Sequence, residues 1–314
     1  MRVPWRDRRG GFLKFKAAVL ACMPIPGLVW AFWLFDGDLG ARPINEIIHG
    51  MGSWTVRWLM LSLAITPLAR LLEWPRLLTI RRMVGLTALA YALAHFSLYI
   101  VDQNFHLLTV ASEIARRFYL TIGFVALSGL IALGVTSTDA MMKRMGRRWK
   151  QLHRLIYPIG VLALLHFFIQ TKANVAEPVI VSGLFVWMML WRSLPAARRT
   201  EVSTCFALVP VSAVLTAAIE FAWYGLATRI DPFRILTANW SERFFPRPAH
   251  EVAAIALVVA IVVTARRLLA QRPMARPKTP GGGDQRGPGE FTMIGRVRNV
   301  WRRMRQRMMQ PAAP

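Results

Sequence analysis

The sequence predicts an all-α integral membrane protein, on three observations. Hydrophobic residues make up 55% of the 314. Several uncharged apolar runs reach the roughly 20 residues a helix needs to cross a bilayer. Those runs are continuous rather than alternating. They therefore suit helices and not the strands of a closed barrel, the other spanning structure that satisfies its own backbone. Eight spans are expected, near residues 14–35, 54–71, 83–101, 118–136, 150–170, 177–194, 203–225 and 250–268.

The first span follows a basic N-terminus, MRVPWRDRRGGFLKFK. The arrangement resembles a signal peptide, but the apolar stretch AAVLACMPIPGLVWAFWLF is too long and lacks a small-residue cleavage site, so a retained span is expected. Basic loops belong on the cytoplasmic side. The N-terminus, EWPRLLTIRR (73–82), DAMMKRMGRRWK (139–150) and PAARR (195–199) are accordingly assigned inside. DGDLGARPINEIIHGMG (36–52), DQNFHLLTVASEIARR (102–117) and TKANVAEP (171–178) are assigned outside. The alternation holds through the sixth span. The net charge of +24 follows it, sitting at helix ends and in inner loops, which points to membrane lipid and excludes nucleic acid as the partner.

Beyond residue 200 the last two spans flank a long outer loop, LATRIDPFRILTANWSERFFPRPA (226–249), whose aromatic residues suit the membrane interface. A Pro- and Gly-rich linker, RPMARPKTPGGGDQRGPGE (272–290), follows. The final TMIGRVRNVWRRMRQRMMQ (292–310) reads equally as an interfacial amphipathic helix or a disordered basic tail. The expected organisation is a membrane domain at 1–199, an extra two-helix membrane segment at 200–270 and a cytoplasmic basic linker and tail at 271–314.

Chemistry concentrates in the histidines. His49, His106 and His250 fall in outer loops or at a span end and read as surface or interface residues, whereas His95, His153 and His166 lie inside spans three and five. An imidazole in lipid needs a partner. His95 precedes Asp102, the end of its span, by seven residues, and His166 precedes Lys172 by six. At the helical rise these are depths of about 10 and about 9 Å, so the two rings are expected to face each other near the outer side. Two imidazoles opposed across neighbouring helices form an axial cage for b-type haem. Zinc would require three or four converging ligands. The small residues Ala92, Ala94, Ser97, Gly160 and Ala163 are expected to leave room for a porphyrin. Cys22 and Cys205 form no CxxC or CxxCH, which excludes covalent haem attachment and a cysteine metal cluster.

His153, thirteen residues from His166, lies about 20 Å further down the same helix, near the cytoplasmic face, with Pro158 between them expected to kink it. At that level span three offers Arg82, which does not ligate iron. His153 is read as part of a site where electrons come in, either as one ligand of a second haem or as a hydrogen-bond partner to a quinone or flavin. Arg147 and Arg148 would supply positive charge to a propionate, a phosphate or a reduced quinone.

The segments LGARPINEI (39–47), GSWTVRWLMLSLAITPLARL (52–71), RRMVGLTALAYALAHFSLY (81–99), RRFYLTIG (116–123), ALGVTSTDAM (132–141) and GRRWKQLHRLIYPIGVLALLHFFIQTK (146–172) resemble the MsrQ (YedZ) family. These are the haem-binding membrane subunits of the bacterial protein-methionine-sulfoxide reductase system, within the ferric-reductase-like transmembrane superfamily. The resemblance covers roughly residues 14–195 and implies a six-helix ferric-reductase-like bundle, to which two further C-terminal helices are added here. It places the family's three membrane histidines, the haem-ligand candidates, on His95, His153 and His166. It also implies haem b and FMN as cofactors and a place in the bacterial inner membrane. Electrons would come from the quinone pool or a cytoplasmic flavin reductase and pass to a periplasmic catalytic subunit of the MsrP type, a molybdenum enzyme. The chain would then be an electron-transfer subunit rather than the catalytic one. No Gly-rich nucleotide motif occurs in the chain, so FMN rests on the resemblance alone.

A respiratory or hydrogenase-type cytochrome b is the alternative within the same class. A transporter using the histidines as proton relays is weakened by the lack of internal repeats and of Asp or Glu within spans two to five. A haem-free assembly factor is the third reading.

Overall fold

The structure, a computed structural model, describes residues 14–171, 174–239, 241 and 245–271. Residues 1–13 of the basic N-terminus, Lys172, the 272–290 linker and the 292–310 segment lie outside the described residues. The described residues up to 270 belong to one compact unit.

Every described element is helical. The helices are α1 (Lys14–Cys22), α2 (Ile25–Asp36), α3 (Pro43–Leu71), α4 (Arg81–Asp102), α5 (Leu107–Arg116), α6 (Phe118–Val135), α7 (Asp139–Met145), α8 (Arg147–His153), α9 (Ile156–Thr171), α10 (Ala176–Ser193), α11 (Val202–Ala227), α12 (Pro232–Ala238) and α13 (Pro248–Gln271), with short 3-10 turns at 75–79 and 198–200. Six segments are long and apolar enough to cross a membrane: Lys14–Asp36, Arg81–Asp102, Phe118–Val135, Arg147–Thr171, Val202–Ala227 and Pro248–Ala270. The chain is a multi-pass membrane protein. The other two expected spans, α3 and α10, are helices as well but are less apolar, for a reason visible in their packing. They are the innermost elements, with 14 buried residues of 29 in α3 and nine of 18 in α10. A helix surrounded by protein has less need of an apolar surface all round.

Among the described residues, the largest of four buried apolar clusters runs through most of the helices. Leu59 and Leu63 of α3, Leu127 of α6, Leu164 of α9, Trp187 and Met188 of α10, Leu208 of α11 and Ala260 and Val263 of α13 belong to a single buried cluster. α4 packs along α3, and α6 along α9.

At three of the places where proline interrupts the helical ladder, nearby groups take up the backbone. Between α1 and α2 the Tyr91 hydroxyl inserts into the missing turn, donating to the Met23 carbonyl (2.8 Å) and accepting from Gly27 N–H (2.9 Å). Pro67, inside α3, cannot donate to the Leu63 carbonyl, which instead accepts from Arg192 Nη2 of α10 at 2.5 Å. Pro158 separates α8 from α9, and the Arg154 carbonyl accepts from Tyr157 N–H at 3.1 Å. The kink expected at Pro158 thus falls one turn earlier, at Arg154–Leu155, where the lost bond would have been made.

Candidate functional site

A cavity of about 470 Å³ opens at the end of the bundle where α3 and α6 begin and α4 and α9 end. Its size falls in the range of ligand pockets. His95 of α4 and His166 of α9 face each other across it, with ring centroids 6.4 Å apart and planes at 81°. Metal–imidazole bonds are about 2 Å long, so two rings on opposite sides of one metal place their centroids roughly 6 Å apart.

Backbone contacts set the orientation of both rings. His95 Nδ1 donates to the Ile48 carbonyl of α3 and His166 Nδ1 to the Tyr119 carbonyl of α6, each at 2.8 Å. A carbonyl only accepts, so the proton sits on Nδ1 and the lone pair on Nε2, the tautomer a metal ligand needs. Two glycines make room for the rings. A Cβ on Gly52 would lie 3.1 Å from His95 Nδ1, and one on Gly123 would lie 2.8 Å from His166 Cε1 and Nδ1.

The interior wall is apolar: Val56, Ala92, Phe96, Ala126, Leu127, Leu130, Ala163 and Phe167. Two opposed, tautomer-fixed nitrogens in such a cavity suit a planar metal cofactor held from both sides. Among the described residues no group of three or more His, Cys, Asp or Glu side chains converges on one position.

Of the small residues expected around the cofactor, Ala92 and Ala163 line the cavity. Gly160 instead gives way to Phe185, which a Cβ there would meet at 3.2 Å. The glycines that clear the two rings, Gly52 and Gly123, were not anticipated, although a glycine inside an apolar helix is itself the signal of a close approach. His49 is placed differently from expectation. It belongs to α3 and lines the cavity, because α3 begins at Pro43 rather than near residue 54. Glu46, His49 and the glycines around them hide that first stretch from a hydropathy reading.

His153 is not brought to the pair. It closes α8 at the opposite end of the bundle, stacked on Trp149 at 3.8 Å between centroids. Its Nδ1 donates to the Trp149 carbonyl (3.1 Å), and its Nε2 lies 3.3 Å from Ser137 Oγ, at the end of α6. Trp149 Nε1 donates to the Thr136 carbonyl (2.9 Å), so ring and indole together tie α8 to α6. Arg147 and Arg148 are exposed on α8, and Arg82 pairs with Asp139 at 2.5 Å.

Comparison with known proteins places this arrangement in a family. A family model described as ferric reductase like transmembrane component matches residues 51–164, a span that includes His95 and His153 and ends two residues before His166. The chain is 42% identical over 197 residues to the protein-methionine-sulfoxide reductase heme-binding subunit MsrQ of Rhodospirillum rubrum, covering 62% of this chain and 92% of that one. It is 42% identical over 191 residues to MsrQ of Xanthomonas campestris pv. campestris (59% and 87% covered) and 40% identical over 188 residues to MsrQ of Caulobacter vibrioides (59% and 89%). No solved structure matches. Identity of this extent over nearly the whole length of the relatives means that the chain belongs to the MsrQ family, within the ferric-reductase-like transmembrane proteins.

Proposed function

We propose that this chain is the haem-carrying electron-transfer subunit of a protein-methionine-sulfoxide reductase system. In this reading it lies in the bacterial inner membrane with its N-terminus in the cytoplasm. The observation that carries the reading is the opposed pair His95 and His166, each with Nδ1 committed to a backbone carbonyl and Nε2 left to coordinate. The cavity suits haem b: an apolar interior for the porphyrin, two axial nitrogens and glycine clearance behind both rings. His95 and His166 would hold the iron of a haem bound there, and the group would supply one-electron transfer.

The chain's own residues do the rest. The Ile48 and Tyr119 carbonyls hold the imidazoles in place and raise their basicity as ligands. Phe96, Leu127 and Phe167 keep water from the metal position. The acceptor we assign is a periplasmic MsrP-type catalytic subunit, met at the cavity end. The donor is the quinone pool or a cytoplasmic flavin reductase, met at the basic end that carries Arg147 and Arg148. There His153 holds α8 to α6 through Trp149 and Ser137. Its Nδ1 is committed to the Trp149 carbonyl, so Nε2 is the nitrogen it would offer to a second iron or to a quinone or flavin. Arg147 and Arg148 would offer positive charge to an FMN phosphate, but neither lines the cavity of the histidine pair, and no step is assigned to a flavin.

The test is a visible spectrum and haem-to-protein ratio of purified variants. His95→Ala and His166→Ala should each lose most low-spin absorbance while still inserting into the membrane, and His153→Ala should keep it with slower reduction. Full haem content in both of the first two variants would overturn the assignment.

A further inference from the structure

The cavity changes character along its length. Its interior is apolar, but at the mouth α3 presents Arg42, Asn45, His49 and Ser53. These positions are spaced by three, four and four residues, so they share one face of the helix. None of the four side chains makes a hydrogen bond or ion pair among the described residues, and Arg42, Asn45 and His49 are exposed. Other polar groups at the mouth are engaged. Asp102 accepts from Gln103 Nε2 (3.1 Å), and the Tyr119 hydroxyl accepts from Arg117 (3.2 Å). Tyr99 and Gln170 add neutral polar groups.

α3 also begins here. Its N-terminus, with the positive end of its dipole, lies beside Arg42 at the mouth, without a side-chain cap. A strip of unengaged donors carrying a guanidinium, beside a helix N-terminus and above an apolar cavity, suits a ligand with an apolar body and a carboxylate edge.

We propose that this strip of α3 is the carboxylate-binding site of the cavity. Arg42, Asn45, His49 and Ser53 receive the two propionates of the haem and so fix which edge of the macrocycle faces outward. The inference rests on the haem reading above and adds to it the group that orients the cofactor. His95 and His166 set the axis of the metal but leave rotation of the ring about that axis open. Contacts at one edge remove that freedom, and Asp102 repels a carboxylate from α4.

The test titrates haem-free protein in detergent with haem and with haem dimethyl ester, whose carboxylates are blocked, followed by low-spin absorbance. The wild-type protein should bind haem at least about tenfold tighter than the ester, as expected for charge-assisted hydrogen bonds. Arg42→Gln and His49→Gln should each shrink that ratio several-fold by weakening haem and not the ester, with the low-spin spectrum unchanged. Asp102→Asn should raise the ratio. Equal binding of haem and ester to the wild type, or a ratio that Arg42→Gln and His49→Gln leave intact, would overturn the propionate site while the axial assignment stands. Failure of either ligand to give a low-spin spectrum would instead remove the haem reading itself.

Discussion

Gly123 lacks a side chain at the point where the His166 ring passes α6. A Cβ there would lie 2.8 Å from two ring atoms, closer than such contacts occur, whereas at Gly52 the corresponding distance to His95 is 3.1 Å. The difference ranks two otherwise similar substitutions. Gly123→Ala must displace His166 and its 2.8 Å bond to the Tyr119 carbonyl, and overpacking of this kind costs about 1–3 kcal/mol. Gly52→Ala needs a shift of only a few tenths of an ångström. Haem retained per protein after purification should therefore fall by roughly tenfold in Gly123→Ala, the lower end for disturbing groups that orient a metal ligand, and much less in Gly52→Ala. The reverse order would show that the rings are not confined as described.

At the scale of elements, prolines make the helices depend on one another. A carbonyl freed by proline inside a bilayer has no water to turn to, so a neighbouring helix must supply a donor. Arg192 does this for Leu63, with a further bond to the Met188 carbonyl (2.9 Å) and its guanidinium over the Tyr157 ring at 5.8 Å. Arg192→Met should lower thermal stability in detergent by about 1–3 kcal/mol, the cost of an unsatisfied buried acceptor. In the Pro67→Ala background the restored N–H serves Leu63 from within α3, and the same substitution should cost distinctly less. A double-mutant cycle measured by thermal unfolding reads the coupling. Equal losses in both backgrounds would mean that Arg192 matters for something other than the freed carbonyl.

The whole molecule joins the segment beyond residue 200 to the bundle instead of leaving it as an appendage. Gly183 of α10 admits Thr216 of α11 and Val252 of α13, so close that a Cβ would overlap both. Phe168 of α9 rests on Trp223 of α11 with centroids 4.8 Å apart. Glu220 of α11 and Arg247, just before α13, form an ion pair at 2.5 Å, their side chains only 4% and 15% exposed. Removing one partner of a buried pair costs about 3–5 kcal/mol, because the other charge stays behind unpaired. Arg247→Ala should therefore lower the melting temperature and open the 226–249 loop to protease. Adding Glu220→Gln should recover part of the loss, and the low-spin haem spectrum should be unchanged in both variants. Wild-type stability of Arg247→Ala would remove the pair from the account of how α11 and α13 are held.

Hydropathy alone determined that this chain is helical and crosses a membrane, because an apolar run of bilayer length has no other way to satisfy its backbone. Residue spacing from the span ends determined that His95 and His166 lie at one level, since depth in a helix is a matter of counting. The orientation of those rings was decided elsewhere. It depends on the Ile48 and Tyr119 carbonyls, each 47 residues away in sequence, and on clearances at Gly52 and Gly123 that appear only when helices pack. The first turns of α3 escaped the sequence reading because Glu46 and His49 make them resemble a loop, yet they carry the polar mouth of the cavity. Periodicity reports what faces lipid. A surface that faces a cavity obeys the chemistry of what the cavity holds, and only the tertiary structure brings its parts together.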